Sequence, residues 1–200
     1  MKKIMVVFLL ITGLSNLTGT TFFGGVNMGN VSPPSDSEIE PEMNMGIILG
    51  AEFSMGSLKV GAGYFQGGYN VEQSETLDGF GEVSMSGSVT LNYINTYAVL
   101  PLYRQARISM FGGLQGGFSL GGIAEFDMEM LGTTISEEDE MEADEMNFDY
   151  GLLFGTDYMI SNNMGVRLSY YKGFADIVKD SDSDDSIQNT GIQLALLYNI

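Results

Sequence analysis

Cysteine and histidine are both absent from the chain. Their absence excludes disulfides, thiolate nucleophiles, imidazole bases and ordinary zinc sites. Basic residues are scarce: eight Lys and Arg stand against 26 Asp and Glu, a formal net charge of −18. Such a surface repels nucleic acid, so no nucleic-acid partner is expected. Charged residues of either sign make up only 17% of the chain, below the share of about 25% usual in soluble domains. A long hydrophobic run is missing too. The apolar segment Ile4–Leu14 is too short to cross a bilayer as a helix, which takes about 20 residues.

That segment follows Lys2-Lys3 and precedes small and polar residues, the layout of a secretory signal peptide. Its end is placed within 17–21, with Gly19 or Thr20 as the last residue. The expected division is therefore a signal peptide over 1–20 and one domain over 21–200. A first core strand is the alternative for 4–14. With no cysteine to follow the signal, a lipid-modified N-terminal anchor is excluded. Cleavage would leave six basic residues against 26 acidic ones, a charge of −20.

What is present is arranged with a period. Of the 26 acidic residues, 23 lie in or beside four long polar segments near 31–42, 72–88, 125–145 and 176–187. The three connections between them, near 55–57, 104–107 and 161–164, hold none; Lys59, Arg104, Arg107 and Arg167 cluster there instead. Alternating long and short connections describe an up-and-down barrel, and long connections at one end with tight turns at the other are the layout of a transmembrane one.

Eight strands are expected, at 22–30, 43–55, 58–71, 89–103, 108–120, 146–160, 165–178 and 189–200. The fold class is all-β: an eight-stranded antiparallel up-and-down transmembrane β-barrel. The clearest period of two runs through 146–160. Phe148, Tyr150, Leu152, Phe154, Tyr158 and Ile160 share one face, and Asn147, Asp149, Gly151, Gly155 and Asp157 share the other. An apolar outer face over a small, polar inner face marks a lipid-facing barrel strand. Met43, Met45, Ile47, Leu49, Ala51 and Phe53 repeat the outer face in 43–55. Ile108, Met110, Leu114, Phe118 and Leu120 do so in 108–120. In 89–103 the expected outer residues are Leu91, Tyr93, Tyr97, Val99 and Tyr103, with Asn92, Thr96 and Ala98 inside and Asn95 interrupting the outer face. Lys172 falls on the lipid-facing side of its strand, which calls for a bulge near Tyr170-Tyr171 or a place at the rim. Tyr103, Tyr158 and Tyr198 fall near the short turns, where an interfacial aromatic girdle belongs. Gly is abundant at 27 of 200 residues, roughly twice the usual share of about 7%. A narrow, strongly curved barrel uses glycine to bend strands and keep side chains out.

The final strand reads Gln193-Leu194-Ala195-Leu196-Leu197-Tyr198-Asn199-Ile200. It resembles the C-terminal signal read by the barrel assembly machinery, with Gln193, Tyr198 and Ile200 at its polar, aromatic and terminal hydrophobic positions and Ala195 where glycine is usual. The segments Leu91–Arg104 and Phe111–Gly117 are similar to those of the PorT-like outer-membrane β-barrel family, among the small eight-stranded OmpX/OmpA-like barrels. In that family a Tyr-rich strand runs into a proline, here Pro101, just before a short turn. The resemblance implies a fold and a location in the outer membrane of a Gram-negative bacterium; it brings no catalytic residues.

Candidate inward charges are Glu52, Lys59, Arg104, Asp149, Asp157 and Arg167. A three-residue turn at Ser161–Asn163 would set Asp157 opposite Arg167, and a two-residue turn at Gly56-Ser57 would set Glu52 diagonal to Lys59. These four are expected to form lumen ion pairs, because charges in a dry core must be paired; a proton or ion path is the alternative. A carboxylate pair such as Asp149 and Asp157 suggests acid–base work, but with no histidine no enzyme is expected. The acidic run Glu137-Glu138-Asp139-Glu140 is expected to stay a solvated, mobile loop. Its carboxylates suit a loosely held Ca2+ or Mg2+. Asp180, Asp182 and Asp184 open like an EF-hand loop, yet Asp185 and Gly191 stand where that loop needs Gly and Glu. No tightly bound cofactor is expected.

The expected function is a non-enzymatic surface or structural barrel with acidic extracellular loops. It would be monomeric, in contact with outer-membrane lipid and lipopolysaccharide, and handled by the barrel assembly machinery during biogenesis. A narrow transport or gating barrel and an accessory subunit of a secretion or assembly apparatus are the alternatives.

Overall fold

A computed structural model describes residues 19–32, 40–77, 81–130, 133–179 and 186–200. Residues 1–18 of the expected signal peptide, and with them Asp180, Asp182 and Asp184, lie outside the described residues; Thr20, its expected last residue, opens the first strand. The strands are β1 (Thr20–Ser32), β2 (Glu42–Met55), β3 (Leu58–Leu77), β4 (Gly81–Gln105), β5 (Ile108–Met130), β6 (Thr133–Met141), β7 (Asp149–Met159), β8 (Met164–Asp176) and β9 (Gln188–Asn199).

Every pairing among these strands is antiparallel. The order is β4-β3-β2-β1-β9-β8-β7-β5, and β4 pairs back onto β5 to close eight strands into a ring. β6 is a ninth strand outside the ring, laid against the far half of β5. Closure leaves no open edge in the ring, the condition for strands to stand in lipid. Leu49, Leu114 and Leu196, 61–65% exposed, belong to a continuous outer apolar band. Tyr103, Tyr158 and Tyr198 also face outward near the short turns. The core is the lumen, filled from opposite walls by Phe23, Phe65, Tyr97, Val99, Phe111 and Leu153 among others. An eight-stranded ring has just enough interior for side chains to fill.

Two glycines in β5 show why so many are needed. A Cβ at Gly113 would lie 2.0 Å from the carbonyl oxygen of Ala98, so only glycine permits that close strand approach. Gly121 has φ of 100° and sits where the β4–β5 register slips between Asn92 and Tyr93. A left-handed glycine at a bulge bends the strand at no steric cost.

Three expectations need correction, and one is decided between its alternatives. In β4 the faces are inverted: Leu91, Tyr93, Asn95, Tyr97 and Val99 are all buried in the lumen, while Leu100 and Leu102 face outward. The inward face of β4 is the more apolar of the two, with Asn92 and Thr96 on the outward one, so alternation alone pointed to the wrong side. Tyr103 does face outward, because the register slips again between Pro101 and Tyr103. Arg104 is exposed at the turn, not in the lumen.

Lys172 keeps its outward phase with no bulge at Tyr170-Tyr171; the regular β8–β9 pairing ends at Lys172, with the register shift between it and Asp176, so of the two alternatives the place at the rim holds. Burial alternates without a break from Gly165 to Ala175, and the Lys172 ammonium donates to Ser32 Oγ at 2.7 Å. Finally, much of two segments expected to be long loops is sheet. β3 and β4 stay paired out to Leu77 and Gly81, and Glu137–Glu140 lie in β6, opposite Phe126, Glu125, Ala124 and Ile123. The acidic run is an exposed strand rather than a mobile loop, held by backbone bonds to a longer neighbour.

Candidate functional site

At the short-turn end of the lumen, β2, β3, β7 and β8 each deliver one charged side chain. The turn of Gly56 and Ser57 pairs Ser54 with Lys59 and Glu52 with Gly61, so Glu52 and Lys59 are diagonal neighbours. The longer turn after β7 sets Asp157 directly across from Arg167. Each falls on the inward phase of its strand.

Arg167 is the centre of the group. Its Nη1 and Nη2 donate to the two carboxylate oxygens of Glu52 at 2.7 and 3.0 Å. Its Nε and Nη2 donate to those of Asp157 at 2.7 and 3.0 Å. Lys59 Nζ bridges the same carboxylates, 3.1 Å from Glu52 and 2.9 Å from Asp157. Two acids face two bases, so the cluster is neutral. A planar guanidinium holding two carboxylates bidentately uses the geometry that suits Arg and not Lys.

Two aromatic residues complete the cluster, and sequence reasoning missed both as partners. Tyr97 OH donates to Glu52 Oε2 at 2.8 Å and accepts from Arg167 Nη1 at 3.1 Å. The Phe111 ring lies 4.7 Å from the guanidinium carbon, within reach of a cation–π contact. Tyr97 went unseen because its strand was placed with the wrong face inward. Phe23 leans on Tyr97 and Phe65 with ring centroids 6.0 Å apart in each case. Salt network and aromatic layer together plug the lumen.

Asp149 is inward as expected but lies far from Asp157. Eight residues of one strand separate them, about 26 Å of rise, so they form no acid–base pair. Asp149 accepts instead from Tyr171 OH at 2.9 Å and Asn189 Nδ2 at 3.0 Å. Gln193 is buried and accepts from Ser169 Oγ at 3.1 Å, while Tyr198 and Ile200 point outward from β9.

The acidic hairpin has two unlike faces. Register puts Ser84, Ser86 and Ser88 of β4 beside Glu129, Asp127 and Glu125 of β5, and these beside Thr134, Ser136 and Glu138 of β6. The opposite face carries Met85, Phe126, Met128 and Ile135, all exposed. Strand geometry sends Glu137 and Asp139 to one side and Glu138 and Glu140 to the other. Among the described residues, no three acidic side chains gather to hold one metal ion.

A closed eight-stranded ring with an apolar exterior and a plugged lumen is the architecture of a small outer-membrane β-barrel. The chain belongs to the family described as outer membrane protein beta-barrel domain, whose model matches residues 16–179. Among solved structures it is similar to Ail, the attachment invasion locus protein of Yersinia pestis. Identity to Ail is 13% and the TM-score 0.50, over 92% of this chain and 99% of that one. A second structure of Ail, in complex with the heparin analogue sucrose octasulfate, matches at 14% identity and TM-score 0.52, over 92% and 100%. Neisserial surface protein A matches at 10% and 0.53, over 90% and 97%. At these identities the likeness is one of fold. A search of curated proteins found no match.

Proposed function

We propose that this protein is a non-enzymatic surface barrel that acts through its acidic sheet at the long-connection end, outside the cell. The observation that carries this is the plug: Arg167, Glu52, Asp157, Lys59, Tyr97 and Phe111 occupy the lumen where a channel would run. With the interior spent on packing, the surface left for contact is the β3–β6 sheet and its acidic connections. A polyanion such as the heparin analogue bound to Ail is repelled by that face. Cations and basic surfaces are drawn to it, and Ca2+ or Mg2+ would screen its carboxylates and link them to anionic lipopolysaccharide.

The same proposal takes in the finer points of biogenesis. Residues 1–20 act as the signal peptide, Gln193, Tyr198 and Ile200 are read by the barrel assembly machinery, and the chain is a barrel of the PorT-like kind. The charges along β6 discourage edge-to-edge pairing, which supports a monomer.

Reconstitution in a planar bilayer tests the central claim. The expected trace is flat at all applied voltages. Reproducible single-channel steps, retained after removal of contaminating porins, would replace the surface reading with the transport one.

A further inference from the structure

Charge is unevenly balanced along the lumen. The lower cluster is neutral, but Asp149 has only neutral partners among the described residues: Tyr171, Asn189 and the backbone N–H of Tyr150. A lone buried carboxylate costs several kcal/mol unless its charge is met. Arg167 and Lys59 are a strand's length away, engaged with Glu52 and Asp157.

Asp149 lines a cavity of about 30 Å³ together with Asn27, Asn95, Gln115, Asn189 and Gln193. Three amide oxygens of this lining have no hydrogen-bond partner: Asn27 Oδ1, Asn95 Oδ1 and Gln115 Oε1. Their side chains belong to residues 8%, 6% and 4% exposed, so bulk water does not satisfy them. The orientation of Asn27 is fixed by its Nδ2, which donates to Gln66 O at 2.9 Å. Asn95, Gly117 and Asp149 stand in one cross-strand row. Asn95 Oδ1 lies over Gly117, where an added Cβ would come within 2.0 Å of it. Glycine in the middle of the row thus leaves the space between Asn95 and Asp149 to the Asn95 oxygen.

Orphaned oxygens beside one unbalanced negative charge are the ligand set of a hard cation. We propose that this chamber binds one small monovalent cation of sodium size, with Asp149 supplying the charge and Asn27, Asn95 and Gln115 supplying neutral oxygens. A single carboxylate balances one positive charge and leaves a divalent ion in excess. A water takes roughly 10–15 Å³ measured this way, so the cavity admits an ion with one water and excludes larger solutes.

The test is the thermal midpoint of the purified full-length barrel in detergent, in sodium chloride and in N-methylglucamine chloride at the same ionic strength. N-methylglucamine is too large to enter, and equal ionic strength cancels screening of the acidic surface. Sodium is expected to raise the midpoint saturably, by about 5 °C when well above its dissociation constant. Asp149→Asn is expected to abolish the sodium increment. Asn95→Ala, which leaves Asp149 in place should the first variant fail to fold, is expected to raise the half-saturating sodium concentration about tenfold. Glu138→Gln, on the surface hairpin, keeps the full increment. Equal wild-type midpoints in the two salts would overturn the proposal and leave a proton or water as the occupant. So would a sodium increment that survives unchanged in the chamber variants.

Discussion

Arg167 makes four hydrogen bonds to two carboxylates, and no other side chain in the described lumen does as much. Replacing it with Leu leaves Lys59 as the one cation of the cluster for both Glu52 and Asp157. Breaking a buried pair from one side costs about 3–5 kcal/mol, so Arg167→Leu should lower the urea midpoint sharply. Tyr97→Phe keeps the ring and loses the donor to Glu52, and should cost about 1–2 kcal/mol. Urea titrations followed by the boiling-dependent gel shift measure both; a Tyr97→Phe loss as large as that of Arg167→Leu would mean the hydroxyl, not the guanidinium, organises the cluster. The opposition of Arg167 and Asp157 was legible because turn length sets register and register sets neighbours. The place of Tyr97 was not: in β4 the more apolar face looks inward, and no local pattern announces that.

At the scale of elements, β4 and β5 outgrow the barrel, and β6 exists only because β5 does. Val83-Ser84-Met85-Ser86-Gly87-Ser88-Val89 alternates with a period of two, a strand signal that acid counting obscured. The acids of β6 sit on both faces of a sheet turned to solvent, where they cost little. The hairpin should therefore be dispensable for closure, since the ring pairs completely without β6. Excising Asp127–Ser136 and joining the ends with Asn-Gly is expected to leave heat-modifiability and membrane insertion intact. Loss of the folded gel form would show that the hairpin supports the ring.

For the whole molecule, an apolar exterior and a closed hydrogen-bond circuit make one joint demand: the barrel is stable in lipid or detergent and not in water. Cell fractionation is expected to recover it with the outer membrane. Unboiled samples should migrate differently from boiled ones in detergent gels. A soluble product with no mobility shift would contradict the membrane assignment.

Chain order and side-chain period determined by themselves the eight strands, their antiparallel succession and the lipid face of β2, β5 and β7. Those depend on neighbours close in sequence, joined by short turns. Tertiary structure alone decided the inner face of β4, the aromatic partners of Arg167, the isolation of Asp149 and the folding of the acidic run onto β5. Each of these depends on residues brought together by ring closure. Which apolar face turns inward, and which buried charge goes unmatched, is settled only when opposite walls meet across the lumen.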